Sequence, residues 1–186
     1  FMIYNVVQLD WGVCMELLKE IVRKQGINFA GKTVYREAVR GVIIKDRTLL
    51  MIYSSKDGDY KFPGGGVDAG ETYETALVRE IREECGATVL SINAELGKVI
   101  EFDVPIIEEN YDVFKMVSFY YICEVNPNFG EQSLDQYEKD LGFEPIWVDI
   151  SKAISTNQML IDSNNFPRWT PRETFVLKYV KEKFRL

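Results

Sequence analysis

Three carboxylates and a run of glycines concentrate the chemistry available to this chain. Glu80, Glu83 and Glu84 stand at i, i+3 and i+4, a spacing that places all three on one helix face. Crowding like charges on an isolated helix costs only about a few tenths of a kcal/mol per pair. Repulsion therefore decides little, and taken alone such a string most often marks a solvated acidic face. A hard divalent cation over that face would give the arrangement a purpose. Oxygen donors without His or Cys suit Mg²⁺ or Mn²⁺. Just upstream, Gly64, Gly65 and Gly66 allow backbone conformations closed to other residues. A glycine-rich turn feeding a helix can aim backbone groups at a phosphate or a metal. No Gly-Lys-Ser/Thr follows, so the turn is not a Walker loop.

Composition narrows the options further. The 186 residues contain 0 histidines. That removes Ser-His-Asp triads, His–Cys dyads, His-ligated zinc and imidazole acid–base chemistry together. Any general base must come from a carboxylate, Lys, Tyr, Cys or water, and the chain carries 29 Asp and Glu. A net charge of −7 argues against non-specific nucleic-acid binding, which needs a basic footprint. Cys14, Cys85 and Cys123 are scattered, without CxxC spacing, and read as reduced thiols of a cytoplasmic protein. No leader peptide is expected, because the apolar N-terminal stretch lacks a basic n-region and Asp10 interrupts it, and no membrane span, because no apolar run reaches the necessary length.

The elements that must hold these groups are legible from periodicity. Residues 71–85 form the carboxylate helix, with Gly86 as its C-cap. Its apolar stripe of Leu77, Val78, Ile81 and Cys85 should pack on a sheet and present the carboxylates outward. Arg79, four residues before Glu83, is placed to orient it. Strands are expected at 38–45 and 48–54, joined as a hairpin by Asp46-Arg47, then at 88–101 with a break, 113–125 and 143–149. Helices are expected at 10–25, near 150–160 and at 171–184. Residues 55–70, 126–142 and 162–171 read as loops. The pattern implies an α/β fold with a mixed sheet covered on its faces. It divides into an N-terminal helical extension at 1–32 and a main domain at 33–186. The helix at 10–25 could pack on the domain, cap the pocket or support a homodimer.

The segment KFPGGGVDAGETYETALVREIREECGA at 61–87 resembles the Nudix (MutT-like) hydrolase family. The family's box runs Gly, five residues, Glu, seven residues, Arg-Glu-apolar-any-Glu-Glu-any-Gly-apolar. Here those positions are Gly65, Glu71, Arg79, Glu80, Ile81, Glu83, Glu84, Gly86 and Ala87. At average residue usage, seven fixed positions coincide by chance on the order of once in a hundred million starts. The flanking strands, the KFPGG entry and the EPIWVD strand extend the likeness over roughly 36–185.

The resemblance implies an α/β/α sandwich and Mg²⁺-dependent hydrolysis (Mn²⁺ possible) of a nucleoside diphosphate linked to another moiety. Such substrates include a nucleoside triphosphate, an oxidised nucleotide, or a nucleotide sugar such as ADP-ribose. The alternative is a non-catalytic regulatory domain that senses a nucleotide sugar. The implied metal ligands are Glu80, Glu83, Glu84 and the Gly64 carbonyl, with Arg79 and Glu71 as orienting residues. The family's extra acidic group falls in the loop before the Trp strand, where Glu138, Asp140 and Glu144 are available, with Glu138 and Glu144 favoured. For a small-molecule nucleotide substrate the candidate contacts are Arg40, Lys61, Gly65, Gly66 and Asn165. Arg36 is a further candidate at the pocket rim. Tyr53, Phe62, Tyr111 and Trp169 are aromatics that either stack on a base or belong to the core.

Overall fold

The computed structural model describes residues 15–107 and 110–186. The strands are β1 Leu17–Val22, β2 Thr33–Val42, β3 Ile44–Lys45, β4 Thr48–Ser54, β5 Tyr60–Lys61, β6 Val89–Asp103, β7 Val113–Val125 and β8 Phe143–Asp149. The helices are α1 Tyr73–Cys85, α2 Gln136–Leu141, α3 Ile150–Asp162 and α4 Thr170–Phe184. One four-stranded sheet has the order β1-β6-β7-β2. It is mixed: β1 pairs β6 in parallel, β6 pairs β7 antiparallel, and β2 pairs β7 in parallel. In the second sheet β4 pairs antiparallel with β3, β5 and β8.

Burial follows the period-2 alternation of the strands. Along β4, Leu50 and Ile52 join the cluster under α1, while Leu49 and Met51 join the cluster under α3 and α4. Phe119 and Tyr121 of β7 face α1, and Tyr120 faces the other side. A strand buried on both faces has to be apolar throughout, and this explains the unbroken TLLMIYS run. Helices therefore cover both faces, as an α/β/α sandwich requires. Helix α1 buries Ala76, Leu77, Ile81 and Cys85, each large apolar side chain contributing roughly 1.5–3 kcal/mol. Val78 departs from the expected stripe and stays 42% exposed.

The expected helix at 10–25 is corrected where it is described. Residues 17–22 form β1, in register with Lys98 to Phe102 of β6; residues 10–14 lie outside the described residues. Leu18 and Ile21, three apart, fit a helical stripe, yet both are only partly buried and pack on the α3/α4 core. The unpaired edge of β6 supplies a hydrogen-bonding ladder, and this tertiary pairing overrides local periodicity. Gly97 has φ +148°, and a Cβ there would stand 2.5 Å from the Leu18 side chain. The expected strand at 38–45 is divided: residues up to Val42 belong to β2, paired with β7, and only Ile44–Lys45 form the hairpin with β4. β6 is continuous with register shifts in place of a break, and the 126–142 loop contains α2. Among the described residues no helix is long and apolar enough to cross a membrane. Cys85 and Cys123 are free and buried. Burial pushes both thiols up, that of Cys123 to about 12.

Candidate active site

Helix α1 begins at a capping box in which the Thr72 and Thr75 side chains each receive the other's backbone N–H, and it ends at Gly86 in the left-handed conformation. Caps of this kind fix the helix register against the sheet. Glu84 is 1% exposed and Glu80 9%, so they are tucked in, not held outward. Helical geometry explains which carboxylates go in. At about 100° per residue, Glu84 lies about 40° from Glu80, whereas Glu83 lies about 60° the other way. The side chain of Glu83 stays 41% exposed.

The loop 62–66 closes over the two buried carboxylates. Glu84 accepts from the Gly64 backbone N–H at 2.7 Å through Oε2, and its Oε1 is ion-paired with the Lys61 ammonium. Lys61 also sits 4.4 Å from the centre of the Phe143 ring. Gly64 adopts φ +135°, and a Cβ there would meet the Val39 carbonyl at 2.1 Å. Only glycine fits so close to β2. At Gly65 a Cβ would stand 2.3 Å from a Glu80 carboxylate oxygen. The Arg40 guanidinium, 8% exposed, donates to the Gly64 carbonyl through Nη1, and its buried Nε has no partner.

Arg79 organises the rim. It meets Glu71 side-on, Nε to Oε1 at 2.9 Å and Nη2 to Oε2 at 2.8 Å. It also donates to Glu80 at 2.7 Å, to Glu83 at 3.2 Å and to the Gly66 carbonyl at 3.0 Å. A guanidinium fork suits this bidentate work. The bond from Arg79 holds the Glu71 carboxyl below its ordinary range. Arg79 thus touches both Glu80 and Glu83 directly.

Glu138 completes the centre. Carboxylate oxygens of Glu80, Glu84 and Glu138 lie within 4.8 Å of one another. Glu138 is held by the α2 capping box, accepting from the Asp135 N–H at 2.9 Å. Burial, reinforced by the Glu84 charge, raises the carboxyls of Glu80 and Glu138 above their ordinary range. Three converging anions in a partly buried site are the environment a hard cation relieves. Opposed ligands of an octahedral Mg²⁺ stand about 4.2 Å apart, so the donor set fits such an ion after a small approach. Glu83 lies outside this cluster, on Arg79. Glu144 is exposed on β8 opposite Tyr53 and does not join it. Asp140 is exposed and accepts from Gln136 at 2.8 Å.

The cluster opens into a cavity of about 300 Å³ bordered by Arg40, Lys61, Gly64, Gly65, Glu84 and Glu138. Gly66 is not on its wall and serves as an acceptor for Arg79. Asn165 is exposed and lines a separate groove with Lys56, Asp57 and Arg168. Arg36 is exposed on β2. Of the aromatics, Trp169 borders the cavity, Phe62 is core against Tyr120, and Tyr53 packs on Tyr60. Tyr111 is 45% exposed.

Sequence reasoning missed the polar wall of the cavity. Arg23, Glu101, Asp103, Arg168 and Arg172 all border it. Glu101 is ion-paired with Arg23 and with Arg172, the latter at 2.5 Å. Burial would raise its carboxyl, but the two arginines hold it below the usual range. Arg172 also grips the buried Glu173 at 2.6 Å, and the other Glu173 oxygen accepts from the Phe62 N–H at 3.0 Å. This buried chain ties β1, β6 and α4 to the glycine loop. The available signal was alternation along β6: Val99, Glu101 and Asp103 share the inward face, the reverse of the usual assignment of charges to solvent.

A family model described as the NUDIX domain matches residues 34–170. Among curated proteins, an 8-oxo-dGTP diphosphatase of Haemophilus influenzae is 36% identical over 107 residues, 58% of this chain and 61% of that protein. An RNA pyrophosphohydrolase of Campylobacter jejuni is 30% identical over 118 residues, 56% of this chain and 76% of that protein. The chain therefore spans less than two thirds of the first of these relatives and about three quarters of the second. A solved NUDIX hydrolase from Nitrosomonas europaea aligns with TM-score 0.51 at 21% identity, covering 68% of this chain and 80% of that one. At that identity the likeness is one of fold.

Proposed function

The chain belongs to the Nudix family, and from that premise we propose that it is a divalent-metal-dependent pyrophosphohydrolase acting on a small nucleotide in the cytoplasm. The observation that carries the reading is the convergence of Glu80, Glu84 and Glu138 within 4.8 Å beneath the glycine loop. Glu80 and Glu84, with the Gly64 carbonyl, are the groups that would hold Mg²⁺ or Mn²⁺. The ion supplies charge neutralisation for the diphosphate oxygens and acidifies bound water. Cleavage of a phosphoric anhydride asks the protein mainly for positioning and electrostatic stabilisation.

The chain's own residues do the rest. Arg40 and Lys61 are buried cations on the cavity wall. They offset the charge of the substrate's phosphates, Arg40 through its free Nε. Glu138 is placed to accept the proton of the attacking water, in preference to the exposed Glu144. Arg79 fixes Glu80, and Glu71 fixes Arg79, so the carboxylate geometry survives without substrate. Arg172 and Glu173 pin Phe62 and with it the loop that carries Gly64.

The test is hydrolysis of a panel including ADP-ribose, oxidised dGTP and diadenosine polyphosphates, with Mg²⁺, with Mn²⁺ and with EDTA. Products formed in heavy-oxygen water locate the attacked phosphorus. Turnover that vanishes with EDTA is expected. Absence of turnover on every member with either metal, while nucleotide still binds, would favour the sensor reading.

A further inference from the structure

Two cations stand on groups that would hold the metal. The Arg40 guanidinium donates to the Gly64 carbonyl, and the Lys61 ammonium is ion-paired with Glu84 Oε1. They differ in freedom. Arg40 projects from β2 as a planar fork of fixed geometry. Lys61 ends β5 and carries its charge as a compact point on a flexible stem. Its side chain is 11% exposed and that of Glu84 1%, so solvent screens the pair little. The ammonium also has a second seat. It lies 4.4 Å from the centre of the Phe143 ring, and Lys61 and Phe143 both border the cavity. Lys61 can therefore turn from Glu84 toward the cavity and keep the ring face as a partner for its charge.

A divalent ion shared by Glu80, Glu84 and Glu138 has to draw on the Glu84 charge that Lys61 already neutralises. Two cations at one carboxylate in a partly buried site repel each other, so the ion and the ammonium compete. The attraction of Lys61 extends to Glu138 as well, and the ammonium thus opposes the ion at two of the three acids. Without any cation, Glu84 would be a buried and uncompensated charge. A phosphorylated ligand changes the balance, because it brings into the same cavity a second anion to which the ammonium can pass.

We infer that Lys61 is a place-holding cation: it neutralises Glu84 and keeps the metal affinity of the site low, and it passes to the phosphates of an incoming nucleotide, so that ion and nucleotide bind with positive coupling. This deepens the metal-dependent reading above and rests on it. Such coupling is reciprocal: the factor by which the nucleotide raises metal affinity is the factor by which the metal raises nucleotide affinity. The site then fills with metal chiefly when a substrate is there to be cleaved.

The experiment is equilibrium binding of Mn²⁺ to the full chain, read from the electron paramagnetic resonance signal of the free ion and so independent of turnover. Lys61→Met, similar in length and uncharged, should gain Mn²⁺ affinity by on the order of tenfold, since one neighbouring charge shifts an ionisation equilibrium by about one to three powers of ten. Lys61→Arg keeps the charge and should bind Mn²⁺ no more tightly than the unaltered protein. AMP and GMP contain no anhydride and chelate Mn²⁺ weakly. At least one of them should raise the Mn²⁺ affinity of the unaltered protein, and neither should raise that of Lys61→Met. Affinity in Lys61→Met equal to or below that of the unaltered protein overturns the proposal. So does tighter binding by Lys61→Arg, or a nucleotide effect that is absent from the unaltered protein or equally large in Lys61→Met. Should Lys61→Met fail to fold, Lys61→Arg and the nucleotide effect in the unaltered protein still decide. Glu84→Gln separates the two readings. Mn²⁺ binding that survives it unchanged removes the metal site itself, whereas a Glu84-dependent site indifferent to Lys61 keeps the metal and removes only the place-holder.

Discussion

The Lys61 ammonium pairs with one oxygen of the Glu84 carboxylate while the Gly64 backbone N–H donates to the other at 2.7 Å. Glu84 is thereby tied at once to the glycine loop and to the cavity wall. Glu83, one residue earlier, is half in solvent and held by Arg79 at 3.2 Å. Two adjacent glutamates of one motif so stand in different environments, and their substitutions should not be equivalent. Glu84→Gln and Glu80→Gln should each lower kcat by about a hundredfold or more, the scale of deleting one electrostatic contact to the transition state. Glu83→Gln should cost about tenfold or less, because its charge is screened and lies outside the cluster. Steady-state kinetics at saturating Mg²⁺ checks the order. A Glu83→Gln loss as large as that of Glu84→Gln would place all three in the metal site.

The neighbouring glycines separate folding from catalysis. A methyl at Gly64 would strike the Val39 carbonyl, which is backbone, and the residue has φ +135°. Gly64→Ala should therefore lower Tm by several degrees, a cost of about 1–3 kcal/mol for the strained conformation alone. A methyl at Gly65 would instead strike the end of the Glu80 side chain at 2.3 Å, which can swing away. Gly65→Ala should leave Tm within a degree or two and lower kcat sharply, by displacing Glu80. Thermal melts and initial rates on both variants suffice, and a Gly65→Ala enzyme of normal rate would show that Glu80 is not needed where it stands.

How far the residues announced this site depends on whether their signals were local. Helix α1, its Gly86 cap and strands β4, β7 and β8 were read within a residue or two, since caps and short apolar runs are local signals. Glu80, Glu84 and Arg79 were singled out through fixed spacing along the chain, and Gly64 through the family resemblance. The cavity wall was not found. Arg23, Glu101, Asp103, Arg168 and Arg172 come from β1, β6 and the segment at α4, and only tertiary pairing brings them together. β1 was misread for the same reason, because its partner strand lies some 80 positions away, Leu17 facing Lys98. Asn165 was singled out by loose likeness and lies in the outer groove.

The two acidic positions favoured ahead of the Trp strand give another separable pair. Glu138 reaches the carboxylate cluster from α2, whereas Glu144 is exposed on β8. Glu138→Gln should lower kcat by about 100- to 10,000-fold, the range of a lost general base, with KM changed little. Glu144→Gln should behave like the unaltered enzyme. A silent Glu138→Gln would assign the proton-accepting role to the box itself, and equal losses in both would remove the distinction between the two positions.

Asp59 offers a prediction about stability away from the acidic cluster. It is fully buried. Its Oδ2 accepts from Trp169 Nε1 at 2.8 Å and Thr170 Oγ1 at 2.9 Å, while Oδ1 has no partner. Burial pushes its carboxyl up to about 6, against 3.8 for the ordinary group. The folded protein thus holds a proton between pH 4 and 6 that the unfolded chain has released. The stabilisation from that proton is complete below the unfolded value and is lost as pH rises through about 6. Between pH 7 and pH 5 the group should therefore add about 1 kcal/mol of stability. Asp59→Asn keeps an oxygen for Trp169 and Thr170 and cannot titrate, so it should lack this increment. Urea unfolding of both proteins at pH 7 and pH 5 isolates the difference from every other group. The gap between them should move in favour of the unaltered chain as pH falls, and a gap that stays constant or moves the other way would mean that Asp59 enters the fold already ionised.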